Sequence, residues 1–265
     1  LHIPHLLFPV IAAPARIASQ SDAGGAITAG RAGYAIDRPK WKSDDDGVTV
    51  QQAQKALEII DLGRKPYGEA LRIQEERVGQ CHDGKVPDAL FLVEHDPVYT
   101  LGRNASQAEV LLSEAECRAK GVEVIRTTRG GKVTFHGPGQ LVGYPIIRLG
   151  TNAREAVRYV GMLEDVLVRV LDEFGLKATG DKHNRGVWVG NEKIAALGVR
   201  ITGGVTMHGF ALNVRVDLSF YGGIVPCGIK DRGVTSMHRS VQDISVDKVK
   251  PVVVRQFREV FRYGQ

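Results

Sequence analysis

Leu141-Val142-Gly143-Tyr144-Pro145-Ile146-Ile147 reads as one continuous apolar strand, and the pattern downstream of it decides the fold class. Arg154 to Phe174 carries the apolar spacing of a long amphipathic helix, closed by Gly175. Three closely spaced strands come next, at Gly186 to Val189, Lys193 to Ile201 and Val205 to Val214. Val246 to Phe261 closes the chain as a helix, with Pro251 in or near its first turns. Upstream, Ala56 to Leu62 is a short strand ended by Gly63, and Pro66 to Gln80 is a helix with Ala70, Leu71, Ile73 and Val78 on its apolar face. Ala89 to Glu94 and Val98 to Leu101 are buried strands around the Asp96-Pro97 turn. Ser113 caps a helix that runs to Lys120 and stops at Gly121, and Val122 to Thr128 alternates as a strand. Strand clusters and helices in this order predict an α+β or mixed α/β fold, with mixed β-sheets flanked by helices on one side. There is no internal repeat.

Residues 55–265 thus form one regular domain, and residues 1–54 do not read as part of it. Pro4, Pro9, Pro14, Gly24, Gly25, Gly30 and Gly33 punctuate an Ala- and Ser-rich stretch that runs into Asp44-Asp45-Asp46. A targeting or transit peptide, a disordered tail and an artefactually extended start all fit this composition. No Lys or Arg precedes the apolar patch at Leu6 to Ala13, which disfavours a secretory signal, and Pro9 breaks that patch well short of a membrane span.

The 265 residues are 43% hydrophobic and 25% charged, ordinary values for a globular protein with a real core. Thirty-five Lys and Arg against thirty Asp and Glu leave a net charge of +5. Without a dense basic cluster and interleaved aromatics, that excess does not indicate nucleic-acid binding, and a basic rim for an acidic protein partner fits equally well. Cys81, Cys117 and Cys227 are odd in number and unrelated in spacing. They form no zinc or redox pair and no disulfide framework, which points to a reducing compartment.

Three segments carry candidate chemistry. The first is Arg129-Gly130-Gly131-Lys132-Val133-Thr134-Phe135-His136-Gly137-Pro138-Gly139-Gln140. Gly130 and Gly131 let the main chain pass close to a ligand, with Thr134 and His136 at its edge. A phosphate loop or a tight hairpin would use the same residues, but neither the Walker nor the Rossmann glycine pattern is present. The second is Lys193-Ile194-Ala195-Ala196-Leu197-Gly198, where strand alternation aims Lys193, Ala195 and Leu197 to one face and Ile194 and Ala196 to the other. A lysine at the head of an apolar strand is also a common solvated edge residue. The third is Val225-Pro226-Cys227-Gly228-Ile229, a tight turn able to present a thiol. A neighbouring cation would favour the reactive thiolate there, while a buried inert cysteine is the plainer alternative. A further strand holds Met207-His208-Gly209-Phe210-Ala211. In it Gly209 to Ala211 read as pocket wall and His208 as structural.

Together these strings resemble the lipoyl(octanoyl) transferases, over roughly Ile59 to Met237 and including Glu94-His-Asp-Pro-Val-Tyr-Thr-Leu-Gly102 and Pro226-Cys-Gly-Ile-Lys-Asp231. The resemblance implies the fold of biotin protein ligase and lipoate ligase catalytic domains. It implies an acyltransferase in protein lipoylation, with octanoyl-acyl carrier protein as donor. The implied acceptors are lipoyl domains of 2-oxoacid dehydrogenase complexes and the glycine-cleavage H protein. It implies Cys227 as acyl-thioester nucleophile and Lys193 as its proton-transfer partner, with the ammonium beside the thiol and a pKa lowered by apolar neighbours. Arg129, Gly130, Gly131, Lys132, Val133, Thr134, Phe135 and His136 would line the octanoyl site with Ala196, Leu197, Gly198, Gly209, Phe210 and Ala211. No cofactor, metal, nucleic acid or membrane is implied, and the expected protein is a cytoplasmic monomer, or an organellar one if residues 1–54 are a transit peptide. An ATP-dependent lipoate or biotin ligase on the same fold is the alternative.

Overall fold

The computed structural model describes residues 56–149, 152–181, 183–225 and 232–264; the N-terminal extension and Cys227 lie outside them. Strand β1 (Leu57–Lys65) and β2 (Asp88–His95) are parallel neighbours joined by helix α1 (Tyr67–His82). A parallel pair requires such a crossover. β1 does not stop at Gly63 as its sequence suggests. The register shifts between Asp61 and Arg64, and the strand continues past a left-handed Gly63 (φ 63°) to pair Lys65 with His95. Pro66 stands just before the first turn of α1, where a missing N–H costs nothing.

Next come β3 (Val98–Leu101), α2 (Glu114–Ala119), β4 (Glu123–Arg126) and β5 (Val133–His136), which build a small three-stranded sheet of order β4-β3-β5. α2 opens on a complete capping box: Ser113 Oγ accepts the Glu116 amide, and the Glu116 carboxylate accepts from Ser113 N at 2.7 Å. β5 lies inside the glycine-rich string, which its sequence presents only as a loop or hairpin.

The remaining elements complete the large sheet. β6 (Gln140–Ile146) is followed by α3 (Ala153–Glu173), β7 (Thr179–Gly180), β8 (Val187–Val189), β9 (Glu192–Thr202), β10 (Val205–Asn213), β11 (Gly233–Val234) and α4 (Val246–Phe261). The strand order is β1-β2-β6-β10-β9-β8-β7, and β11 adds in parallel to the head of β9. β9 and β10 form a hairpin whose two turn residues, Gly203 and Gly204, both have positive φ (56° and 78°), as the twist of a two-residue loop demands. Pro251 falls in the second turn of α4.

Helices flank both faces of the large sheet rather than one. α3 and α4 press Leu163, Leu167, Val249, Val253 and Phe257 against Leu90, Leu141, Phe210 and Leu212 on one face. On the other, Ala70 and Cys81 of α1 meet Phe91, Val142, Tyr144 and Ala211. A third core lies in the small sheet, around Tyr99, Leu101, Val133 and Phe135. Among the described residues no helix is long and apolar enough to cross a membrane.

Candidate active site

A cavity of about 310 Å³ opens where the α1-facing side of the large sheet meets the small sheet. β9 supplies Lys193 and Ala196 to Gly198, β10 supplies His208 to Ala211, and β6 supplies Val142 and Tyr144. The glycine-rich string contributes Arg129, Gly131 to Thr134 and His136, the start of α1 contributes Tyr67, and the loop before β8 contributes His183 to Arg185. Most of the sequence-predicted binding residues therefore converge on one chamber. Two of them do not line it. Phe135 points into the small-sheet core and stacks on Phe220 with ring centroids 4.7 Å apart, because β5 alternation turns it away from Thr134 and His136. Gly130 lies behind the wall, where its N–H donates to the Val199 carbonyl at 3.0 Å.

Lys193 reaches the cavity by a route that strict alternation does not give. Val187 pairs with Ala195 but Trp188 with Lys193, so Ile194 is an extra residue in β9. Ile194 and Ala195 both face the core covered by α3 and α4, and Lys193 turns to the cavity side with Ala196. The grouping of Lys193 with Ala195 and Leu197 is thus corrected: a β-bulge re-aims the lysine. Its Nζ donates to the Arg185 carbonyl at 3.1 Å and lies 4.8 Å from the centroid of the Trp188 ring.

The floor is a buried polar network. The Arg129 fork donates to Thr100 O at 2.6 Å and to Thr100 Oγ1 at 2.9 Å, and Thr100 Oγ1 is 3.3 Å from His136 Nε2. His136 Nδ1 meets Gln140 Oε1 at 2.7 Å, and Gln140 Nε2 donates to Asn213 Oδ1 at 2.9 Å. Asn213 in turn donates to the Thr235 carbonyl at 2.9 Å, while Thr235 N donates to Lys193 O at the same distance. The network therefore ties the glycine-rich string to the strand bearing Lys193. Burial keeps the surrounding histidines neutral. His136 is held well below its ordinary pKa, and His95 and His208 are each lowered to about 4. Burial also pushes the Tyr67 hydroxyl up to about 12, so it stays protonated.

His208 and Tyr67 line the cavity, and sequence reasoning did not place them there. His208 adopts φ 56° inside β10, held there by a 2.9 Å bond from its N–H to Gln74 Oε1. Its ring reaches Thr128 Oγ1 at 3.3 Å and the Tyr67 hydroxyl at 3.5 Å. The available signal was its place beside Gly209 in a pocket-wall strand. Tyr67 carried no signal beyond following Pro66, since its role comes from contacts distant in sequence.

The lipoyl protein ligase A/B catalytic-domain model matches residues 66–258. The octanoyltransferase of Alkaliphilus metalliredigens is 44% identical over 209 residues, 78% of this chain and 96% of that protein. The chain belongs to the octanoyltransferase family. A second family member, from Rubrobacter xylanophilus, is 46% identical across 80% of this chain and 97% of its own length. The fold extends beyond the octanoyltransferases. The bipartite lipoate protein ligase of Thermoplasma acidophilum superposes with a TM-score of 0.65 at 17% identity, covering 78% of this chain and 84% of that one. A lipoate-protein ligase A bound with ATP gives 0.60 at 18% identity, covering 79% and 86%.

Proposed function

We propose that this chain transfers an octanoyl group from octanoyl-acyl carrier protein to a lysine of lipoyl domains, through a thioester on Cys227. The observation that carries the reading is the Lys193 ammonium turned by a bulge into a chamber whose apolar wall is Val142, Ala196 and Ala211. An apolar chamber suits an acyl chain, and a lysine on its wall suits proton transfer where that chain meets its thioester. Family membership supports both halves of this reading.

In the first half-reaction the Cys227 thiolate attacks the octanoyl carbonyl carbon. A new C–S bond forms, the bond to the carrier's pantetheine sulfur breaks, and that sulfur leaves with the electron pair and takes a proton from the Lys193 ammonium, which leaves the lysine neutral. Backbone amides of the glycine-rich string or of the residues next to Cys227 in sequence would stabilise the oxyanion. In the second half-reaction the acceptor amine attacks the Cys227 thioester, an amide C–N bond forms and the cysteine thiolate departs. Lys193, uncharged at that stage, takes the amine proton. A donor that is already a thioester supplies the activation, so ATP is not consumed, and one nucleophile serving both steps makes the kinetics ping-pong. We place the reaction in the cytoplasm, where reducing conditions suit a working thiolate; Cys81 and Cys117 carry free, buried thiols.

Intact mass after incubation with octanoyl-acyl carrier protein, without ATP, tests the proposal. The expected result is a hydroxylamine-labile octanoyl adduct that is absent in Cys227→Ala and discharges onto an added lipoyl domain. Acylation that appears only with ATP and free octanoate would overturn it in favour of a ligase.

A further inference from the structure

Trp188 stands at the crossing of two cations that have no obvious reason to share it. Its indole is 3% exposed and donates from Nε1 to the Asn184 carbonyl at 3.1 Å, which fixes the ring plane. Lys193 Nζ lies 4.8 Å from the ring centroid and the Arg232 guanidinium carbon 4.3 Å from it. Both are within the range in which a cation is attracted to an indole face. The two are anchored separately. Arg232 pairs with Asp181 at 2.7 Å and donates to Asn191 Oδ1 at 3.0 Å. The stem of Lys193 crosses Gly186, where φ is +140° and a β-carbon would lie 3.0 Å from Lys193 Cε.

The backbone repeats this arrangement. Trp188 is the cross-strand partner of Lys193 in β8, and Val234 of β11 is its partner on the opposite edge. Arg232 immediately precedes β11 and lies five positions beyond Cys227. A residue that grips Arg232 therefore also fixes where the chain that has passed Cys227 joins the large sheet at β11.

We infer that Trp188 and Arg232 are positioning residues for acyl transfer. The indole fixes the Lys193 ammonium, and Arg232 on the same ring fastens the chain at the head of β11, which pairs with β9. The inference rests on the two-step reaction through Cys227 proposed above. Neither residue needs to touch the acyl group, and their effect falls on the geometry of the two reacting side chains. Misplacing such groups slows the chemical step without weakening substrate binding.

Single-turnover acylation of the full chain by octanoyl-acyl carrier protein, with steady-state kcat and KM alongside, tests this. Trp188→Leu is expected to slow thioester formation by roughly tenfold to a hundredfold with KM unchanged. Trp188→Phe, which keeps an aromatic face, is expected to recover most of that loss. Asp181→Asn, which frees Arg232 from its carboxylate, is expected to slow the same step by about threefold to tenfold. A folded Trp188→Leu as fast as the native chain overturns the inference, as does a loss seen wholly in KM or one that Trp188→Phe does not relieve. If Trp188→Leu does not fold, native rates in both Asp181→Asn and Arg232→Gln overturn it instead. A native chain that forms no adduct at all overturns the underlying reaction, a result separate from any difference among variants.

Discussion

Gly198 and Gly209 face each other across β9 and β10, and main chain occupies the space their side chains would take. A β-carbon on Gly209 would run into the Gly143 carbonyl and lie 2.7 Å from Pro145 Cδ, and one on Gly198 would lie 3.0 Å from Arg129 Cδ and from Gly130 O. Gly209→Ala is therefore expected to cost about 1–3 kcal/mol of stability, read as a lower urea midpoint with unchanged slope. Gly198→Ala is expected to displace the glycine-rich string and cut octanoyl transfer more than it cuts stability. Arg129→Lys tests the same wall from below. A single ammonium cannot reproduce the fork on Thr100, and the expected loss is about 1.5–3 kcal/mol, measured by chemical denaturation. Lys193, the glycine string and Gly209 to Ala211 were legible as cavity lining through the family resemblance of their strings, since by residue type alone Lys193 reads equally as a solvated edge residue. His208 and Tyr67 were not, because what makes them part of the site is their approach to Thr128 and to each other, which no local pattern encodes.

At the scale of elements, the boundaries that sequence places well are those with local chemistry behind them. The α4 span, Val246–Phe261, comes directly from its apolar period, and α2 from its Ser113 cap and the left-handed Gly121 (φ 64°). Ser113→Ala is expected to lower stability by about 1 kcal/mol, visible as a reduced thermal midpoint, with transfer activity retained. What sequence misplaces is set by pairing. β5 hides among glycines because its order comes from lying beside β3, with Val98 opposite His136 and Leu101 opposite Val133. The bulge at Ile194 is invisible for the same reason. Whether β9 gains a residue depends on where β8 begins, and that is decided by the Gly186 turn and by Glu164 of α3, which accepts the Gly186 amide at 3.1 Å.

For the molecule as a whole, acid should be the sharpest threat to folding. His95 and His208 each hold a folded pKa of about 4 against an ordinary 6.5, chiefly through burial. Below pH 6.5 these histidines take up protons in the unfolded chain that the folded chain refuses, so their contribution falls as pH drops from 6.5 toward 4 and levels off below that, where the carboxylates with lowered pKa, such as Asp61, continue the decline. Each histidine contributes on the order of 3 kcal/mol to the fall. Urea titrations at pH 7, 6 and 5 are expected to show the decline, and His95→Gln is expected to flatten it. The fold also fixes a length. Ile224 bridges to Val110 and Val225 N donates to Glu109 O at 2.8 Å on the small-sheet side. Arg232 and β11 are fastened to the large sheet at the other end. Residues 226–231, Cys227 among them, therefore connect two fixed points, one on each sheet. Inserting one glycine between Val225 and Arg232 should silence transfer while leaving the urea midpoint near that of the native chain.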